Sequence, residues 1–281
     1  MQKLLGFCLF LLLSQSAWAL TPWQKVKTPV EGTSQAIGGF SNGCLIGAKA
    51  LPKKGEGYQI MRESKLRYFG HPNLITFIES LANKSERFGL GTLLIGDMAM
   101  PAGGRFASGH ASHQTGLDVD IWLQLPATRW SKKQLANPVP IDLVNAKGNA
   151  VDLERWRGEY TQLIKLAAES DDVTRIFVHP AIKQQLCKEN QGNSQWLRKV
   201  RPWFGHRAHM HVRIACPAGS KACIEQDVPP KGDGCGKELA SWLTERHLPS
   251  AKPDKAPPPK PPKLCQQLLD NDFSLAKISS R

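Results

Sequence analysis

Acid is in short supply in this 281-residue chain: 24 Asp and Glu stand against 37 Lys and Arg, a formal net charge of +13. A basic balance of this size suits an acidic polymer such as peptidoglycan or anionic lipid as partner, and ordinary solubility with no specific partner competes equally with that reading. Its positive residues are spread along the sequence, which argues against nucleic acid as a partner. Long apolar runs are lacking too. Residues 4–13 form the one such run, too short to span a bilayer, so membrane insertion is not expected. No CxxC pair occurs among the seven cysteines, which excludes a thiolate metal knuckle.

The short apolar run has another use. Lys3 precedes it, and Ala17-Trp18-Ala19, a small-x-small cleavage site, follows it. Residues 1–19 therefore read as a secretory signal peptide. Cys8 lies inside the run and not after it, which excludes a lipoprotein anchor. Export to the periplasm leaves Cys44, Cys187, Cys216, Cys223, Cys235 and Cys265, and an even number in an oxidising compartment points to disulfides. Cys216 and Cys223 make the easiest pair. The other four allow three pairings, of which Cys44 with Cys265 would pin the tail to the start of the domain. Residues 20–250 suffice for one domain. Residues 251–281 form a Lys/Pro-rich tail, extended through Pro257-Pro258-Pro259 and tethered at Cys265.

Two serine motifs lack their context. Gly39-Phe40-Ser41-Asn42-Gly43 matches GxSxG, but too little mature chain precedes Ser41 to build the sheet a nucleophile elbow needs. Ser274-Leu275-Ala276-Lys277 matches SxxK, yet KTG is absent and no fold follows.

Periodicity supplies the elements. From Pro72 to Phe88, Leu74, Phe77, Ile78 and Leu81 recur at helical spacing, and Leu153 to Ala168 predicts a second amphipathic helix. Short helices are expected from Ala181 and over Lys237 to Glu245. Residues 92–95 and 174–178 read as strands, with His179-Pro180 closing the latter. Residues 124–151 read as a long surface excursion. Gly103-Gly104-Arg105 is placed to approach a substrate backbone, Trp122 and Trp130 to line a cleft, and Arg198, Lys199 and Arg201 to receive a carboxylate; an ordinary structural role competes in each case.

Five of the eight histidines lie in two windows, Gly109 to Trp122 and His206 to His211. Within them Asp118 to Leu123 and His209 to Ile214 alternate polar and apolar, the period of a strand. Asp120 shares a face with Asp118 and Trp122; His209 and His211 share another, about 6 to 7 Å apart. Two such strands side by side would bring Asp120 beside His211, and Gly116 would turn His113 back over them. His113, Asp120 and His211 then make the three-ligand set, with one open position, of a catalytic zinc site.

Ser112-His113, Gly116 and Asp120, followed downstream by His209-x-His211, resemble the zinc peptidase group that includes lysostaphin-type enzymes, D-alanyl-D-alanine peptidases and hedgehog domains. Within it, GGRFASGHASHQTGLDVDIW and VRPWFGHRAHMHVR are similar to the penicillin-insensitive murein endopeptidase branch, and the likeness covers nearly all the mature chain. The resemblance implies Zn2+ on His113, Asp120 and His211, His209 as general base, His206 polarising the substrate or stabilising the oxyanion, and His110 as an added metal contact. It implies hydrolysis of the D-alanyl-meso-diaminopimelyl cross-bridge in peptidoglycan. In the dipeptidase branch a glutamate three residues before the last ligand is the base; here that residue is Ala208, so a histidine must serve. Two rivals stand beside this reading: a D,D-carboxypeptidase, and a non-enzymatic zinc-stabilised wall-binding protein. The fold expected is α+β, a small antiparallel sheet carrying the zinc site, flanked by helices and long disulfide-braced loops. Substrate-binding residues and oligomeric state stay open.

Overall fold

The structure, a computed structural model, describes residues 21–244 and 258–278. The expected signal peptide, the 250/251 boundary and residues 251–257 of the Lys/Pro run lie outside the described residues. In chain order the elements are α1 (Pro22–Lys25), β1 (Gln35–Gly39), β2 (Asn42–Ile46), β3 (Lys49–Ala50), β4 (Tyr58–Ile60), β5 (Phe69–Gly70), α2 (Pro72–Arg87), β6 (Leu93–Ile95), β7 (Asp118–Trp122), α3 (Lys132–Ala136), α4 (Gly158–Ala168), β8 (Val173–Val178), α5 (Pro180–Glu189), β9 (Val200–Pro202), β10 (His209–Ile214), α6 (Lys237–Thr244) and α7 (Lys263–Ile278).

Alternation puts β7 and β10 at the centre of a six-stranded sheet of order β4-β6-β7-β10-β8-β9. Val119 and Ile121 from β7, with Met210, Val212 and Ile214 from β10, enter the main core. The intervening Asp118, Asp120, His209, His211 and Arg213 take the other face. Antiparallel register sets His211 opposite Asp120 and Arg213 opposite Asp118. The α+β class is as expected, but the sheet is antiparallel only around its centre; β4 with β6 and β8 with β9 are parallel. Parallel neighbours need a crossover, and α2 and α5 lie in those connections.

The apolar face is covered by helices. α2 buries Leu74, Phe77, Ile78 and Leu81 and packs against α4, which in turn packs on β8. His71 caps α2 by accepting from the Asn73 N–H, and His179 caps α5 from the Ala181 N–H. His179 therefore closes β8 and starts a helix. α4 begins at Gly158 rather than Leu153, because the Asp152 carbonyl first gathers the Arg155 and Trp156 N–H groups into a turn. The 124–151 excursion carries short α3, opened by a Ser131–Gln134 capping box.

Three disulfides brace the loops. Cys44–Cys265 joins β2 to α7, Cys187–Cys235 joins α5 to the segment before α6, and Cys216–Cys223 closes the turn behind β10. Such bridges persist outside the reducing cytoplasm. Among the described residues no helix is long and apolar enough to cross a membrane.

Gly103 and Gly104 face inward, which corrects the expectation that they approach substrate. Both have positive φ, and an added Cβ would lie 2.1 Å from the Gln114 carbonyl oxygen and 2.0 Å from the Trp23 ring respectively. Left-handed strain alone costs an L residue about 1–2 kcal/mol. Gly103→Ala should therefore lower the melting temperature by about 2–8 °C; a thermal melt that coincides with wild type would refute this role.

Candidate metal centre

A loop and two strands meet at Asp120. Its Oδ1 lies 3.3 Å from His113 Nε2, 3.1 Å from His211 Nδ1 and 3.8 Å from His209 Nε2, while Oδ2 lies 3.4 Å from His110 Nδ1. His110, His113 and Asp120 each offer a ligand atom within 4.8 Å of the others. The fold thus assembles side chains separated by ninety residues because β10 sits beside β7 in the register that opposes His211 to Asp120.

His113 is delivered by a tightly tied turn. Gly116 has φ 71°, and a Cβ there would meet Leu45 at 2.4 Å. His113 itself sits at φ 67°, a region L residues avoid. Its N–H donates to Asp118 Oδ2 at 3.1 Å, which offsets that cost. Gln114 clamps the turn to the β1–β2 hairpin: its side-chain amide donates to the Ser41 and Ala111 carbonyls, and its Oε1 accepts from the Gly43 N–H.

The donor set fits a cation. His113 is fully buried, yet neither ring nitrogen has a hydrogen-bond partner, and Asp120 Oδ1 also lacks one. Unpartnered buried polar atoms are costly. A divalent ion bound by one imidazole nitrogen of His113 and by the carboxylate oxygen would satisfy two of these atoms at once.

Charge in the site is sharply sorted. Burial works to raise the Asp120 pKa, but His113, His209 and His211 hold it well below the usual carboxylate range. Asp118 is likewise depressed, against burial, by Arg213 and His211. For His211, burial is overcome by Asp118 and Asp120, which push its pKa up to about 9. His209 goes the other way: burial lowers it. Burial, then the neighbouring His209 and His211, pushes His206 down to about 3. A neutral His206 donates through Nδ1 to the Trp203 and Phe204 carbonyls at 3.2 and 3.1 Å, leaving Nε2 as an acceptor.

Two cavities flank these histidines. One, of about 310 Å³, is lined by Arg62, His110, Asp120, Trp122, Arg207 and His209 among others. The second, of about 400 Å³, has His206, His209 and His211 beside Phe177, Trp203 and Phe204. Trp122 thus reaches the cleft, though it is mostly packed with Met61 and Leu94, and Trp130 packs against that cluster. The basic trio does not reach it. Arg198 donates to the Pro229 and Pro230 carbonyls, Lys199 to Ser170, and Arg201 pairs with Glu238. Ser41 sits in the β1–β2 turn, without the strand-to-helix elbow of a serine nucleophile.

Sequence reasoning missed the groups beneath the site. Asp118 is fully buried and receives Arg213 Nε at 2.8 Å and a second guanidinium nitrogen at 3.2 Å, with His211 Nε2 at 3.3 Å. Asp97 holds His110 Nε2 at 3.3 Å and is itself clamped by Arg62 and Arg67 at 3.2 and 2.8 Å. Asp118 was legible in principle, since period two puts it on the face of Asp120 and puts Arg213 on that of His211. Nothing local marks Asp97.

The family described as penicillin-insensitive murein endopeptidase matches residues 36–270. The chain is 59% identical to a protein of that name from Yersinia enterocolitica, over 98% of this chain and 99% of the relative. It is 60% identical to one from Yersinia pseudotuberculosis, over 91% and 93%, and 59% identical to one from Pectobacterium atrosepticum, over 94% of each.

Breaking the buried Asp118–Arg213 pair should be expensive, because the guanidinium would keep its charge and lose its counter-ion. Asp118→Asn is expected to destabilise the metal-stripped protein by about 3–5 kcal/mol. Urea unfolding measures this, and a loss under about 1 kcal/mol would show the pair to be dispensable.

Proposed function

The chain belongs to the penicillin-insensitive murein endopeptidase family, and from that membership we propose a periplasmic zinc peptidase that hydrolyses the D-alanyl-meso-diaminopimelyl cross-bridge of peptidoglycan. The observation that carries the metal chemistry is the convergence of His113 and His211 on one oxygen of Asp120, with His113 left unpartnered. His113, Asp120 and His211 would hold the ion, with His110 as a further contact. Bound zinc supplies Lewis acidity, polarising the amide carbonyl and making water a better acid.

The chain's own residues handle the protons. His209, kept neutral by burial, is the base that takes the proton of the attacking water and returns it to the departing amine. Ala208 stands where the dipeptidase branch has its glutamate, so no carboxylate competes for this role. His206 rests neutral, and stabilises a developing oxyanion only after its Nε2 has taken up a proton. Asp97 and Asp118 orient His110 and His211 through the nitrogens turned away from Asp120. Three disulfides and a basic surface support work outside the cytoplasm on an acidic polymer.

Digestion of isolated sacculi with analysis of the released muropeptides tests this reading. Wild type should convert cross-linked dimers to monomers; a chelator or His113→Ala should abolish the conversion, and added zinc should restore only the chelated wild type. Dimers left intact while terminal D-alanine is lost from pentapeptide monomers would replace the endopeptidase with a carboxypeptidase.

His209→Ala should cost about 10²- to 10⁴-fold in kcat. Because only neutral His209 is active and burial lowers its pKa, kcat/KM should fall with decreasing pH about a midpoint below the ordinary 6.5. An acid limb centred above 6.5 would exclude His209 as the titrating base.

A further inference from the structure

The 310 Å³ cavity beside His209 and Asp120 contains two arginines whose situations differ. Arg207 is consumed by its surroundings. Its Nε donates to both Asp142 carboxylate oxygens at 3.0 and 2.9 Å, and one terminal nitrogen donates to the Val144 and Asn145 carbonyls. Its charge has a counter-ion of its own, and its work is to hold the 142–145 loop.

Arg62 has neither. Its contact with Asp97, one nitrogen at 3.2 Å, is shared with Arg67, which lies closer, at 2.8 Å. Two guanidinium charges thus meet one carboxylate, and His110 takes part of that carboxylate as well. Arg62 Nε is buried without a hydrogen-bond partner. The backbone around it is specialised: φ is 52°, in the left-handed region, and its N–H is bound to the Leu135 carbonyl at 2.8 Å. The guanidinium lies 5.8 Å from the Trp122 ring. Asp97 therefore anchors on the cavity wall an arginine whose counter-ion is shared with Arg67.

We propose that Arg62 is a specificity residue that binds the carboxylate carried by the amine half of the substrate. This rests on the endopeptidase reading above, and it gives the groove a direction. In the cross-bridge the departing nitrogen is attached to a carbon bearing a free carboxylate, whereas the acyl half presents the methyl group of D-alanine. The aromatic cavity lined by Phe177, Trp203 and Phe204 suits the acyl half. The amine half then lies in the opposite cavity, where Arg62 meets its carboxylate through charge-assisted hydrogen bonds.

The test uses the full chain with zinc and two synthetic cross-linked stem dimers, identical except that the carboxylate next to the departing nitrogen is free in one and a carboxamide in the other. Wild type should favour the free acid by about 10- to 100-fold in kcat/KM, chiefly through KM. Arg62→Gln should lose that preference, and Arg62→Lys should keep part of it. A wild type indifferent to the change, or an Arg62→Gln enzyme that still prefers the acid, overturns the proposal. Arg62→Gln melting well below wild type would pass the decision to Arg62→Lys and the wild-type ratio. Cleavage of neither dimer by wild type would instead remove the endopeptidase reading. Calorimetric binding of the acid and amide amine-half products would then decide on Arg62, and equal affinities would reject it.

Discussion

One buried carboxylate holds the centre together. Asp118 accepts from the Arg213 guanidinium across the β7–β10 ladder, faces His211 Nε2, and receives the backbone N–H of His113 in its left-handed turn. Strand pairing, ligand orientation and loop conformation therefore share a single group. Placing an ionised carboxylate in a fully buried position is tolerable only because each of its oxygens is met by a donor. The same economy fixes geometry: His211 cannot rotate without abandoning Asp118, and His113 cannot relax toward negative φ without withdrawing its N–H.

Asp97 repeats the device on the other side of the cleft. It turns His110 by one nitrogen and leaves the other toward Asp120, as Asp118 does for His211. Carboxylates that bind the far nitrogen of an imidazole set its tautomer and orientation. Rigidity for the loop between them comes from outside the sheet. Gln114 binds the β1–β2 hairpin, and that hairpin is tied through Cys44 to α7. A disulfide remote in sequence thus helps to position His113.

The site was legible where chemistry and periodicity coincide. Asp120, His209 and His211 declared themselves because alternating strands have only two faces, and one was visibly apolar. Other features depend on partners that no local pattern names. The parallel edge strands follow from where α2 and α5 cross, which short runs such as Leu93–Ile95 do not encode. Gly103 and Gly104 looked like a flexible approach to substrate, and only the packing of Trp23 and Gln114 shows that space is what they supply. Arg198, Lys199 and Arg201 looked like a receptor for acid, yet backbone carbonyls and Glu238 claim them; a basic cluster in sequence does not say which way its side chains turn.

Charge balance suits this arrangement to a cation. Around the cleft Asp97, Asp118 and Asp120 are held ionised, and Arg62, Arg67 and Arg213 stand against them. Asp120 is the carboxylate with no arginine, approached by histidines alone. Asp118 first and then Asp120 raise the pKa of His211 against burial, so a proton on that imidazole faces both carboxylates. A divalent ion in place of that proton would overshoot it, so a loaded cleft would carry surplus positive charge. Arg62 contributes to that surplus from the neighbouring cavity, since Arg67 already serves Asp97. A positive cleft with low-dielectric walls favours an anionic ligand and the negative charge that develops on a carbonyl oxygen under attack. Burial that keeps His209 neutral belongs to the same balance: were it charged, a bound ion would meet repulsion, and the base would have no lone pair to offer.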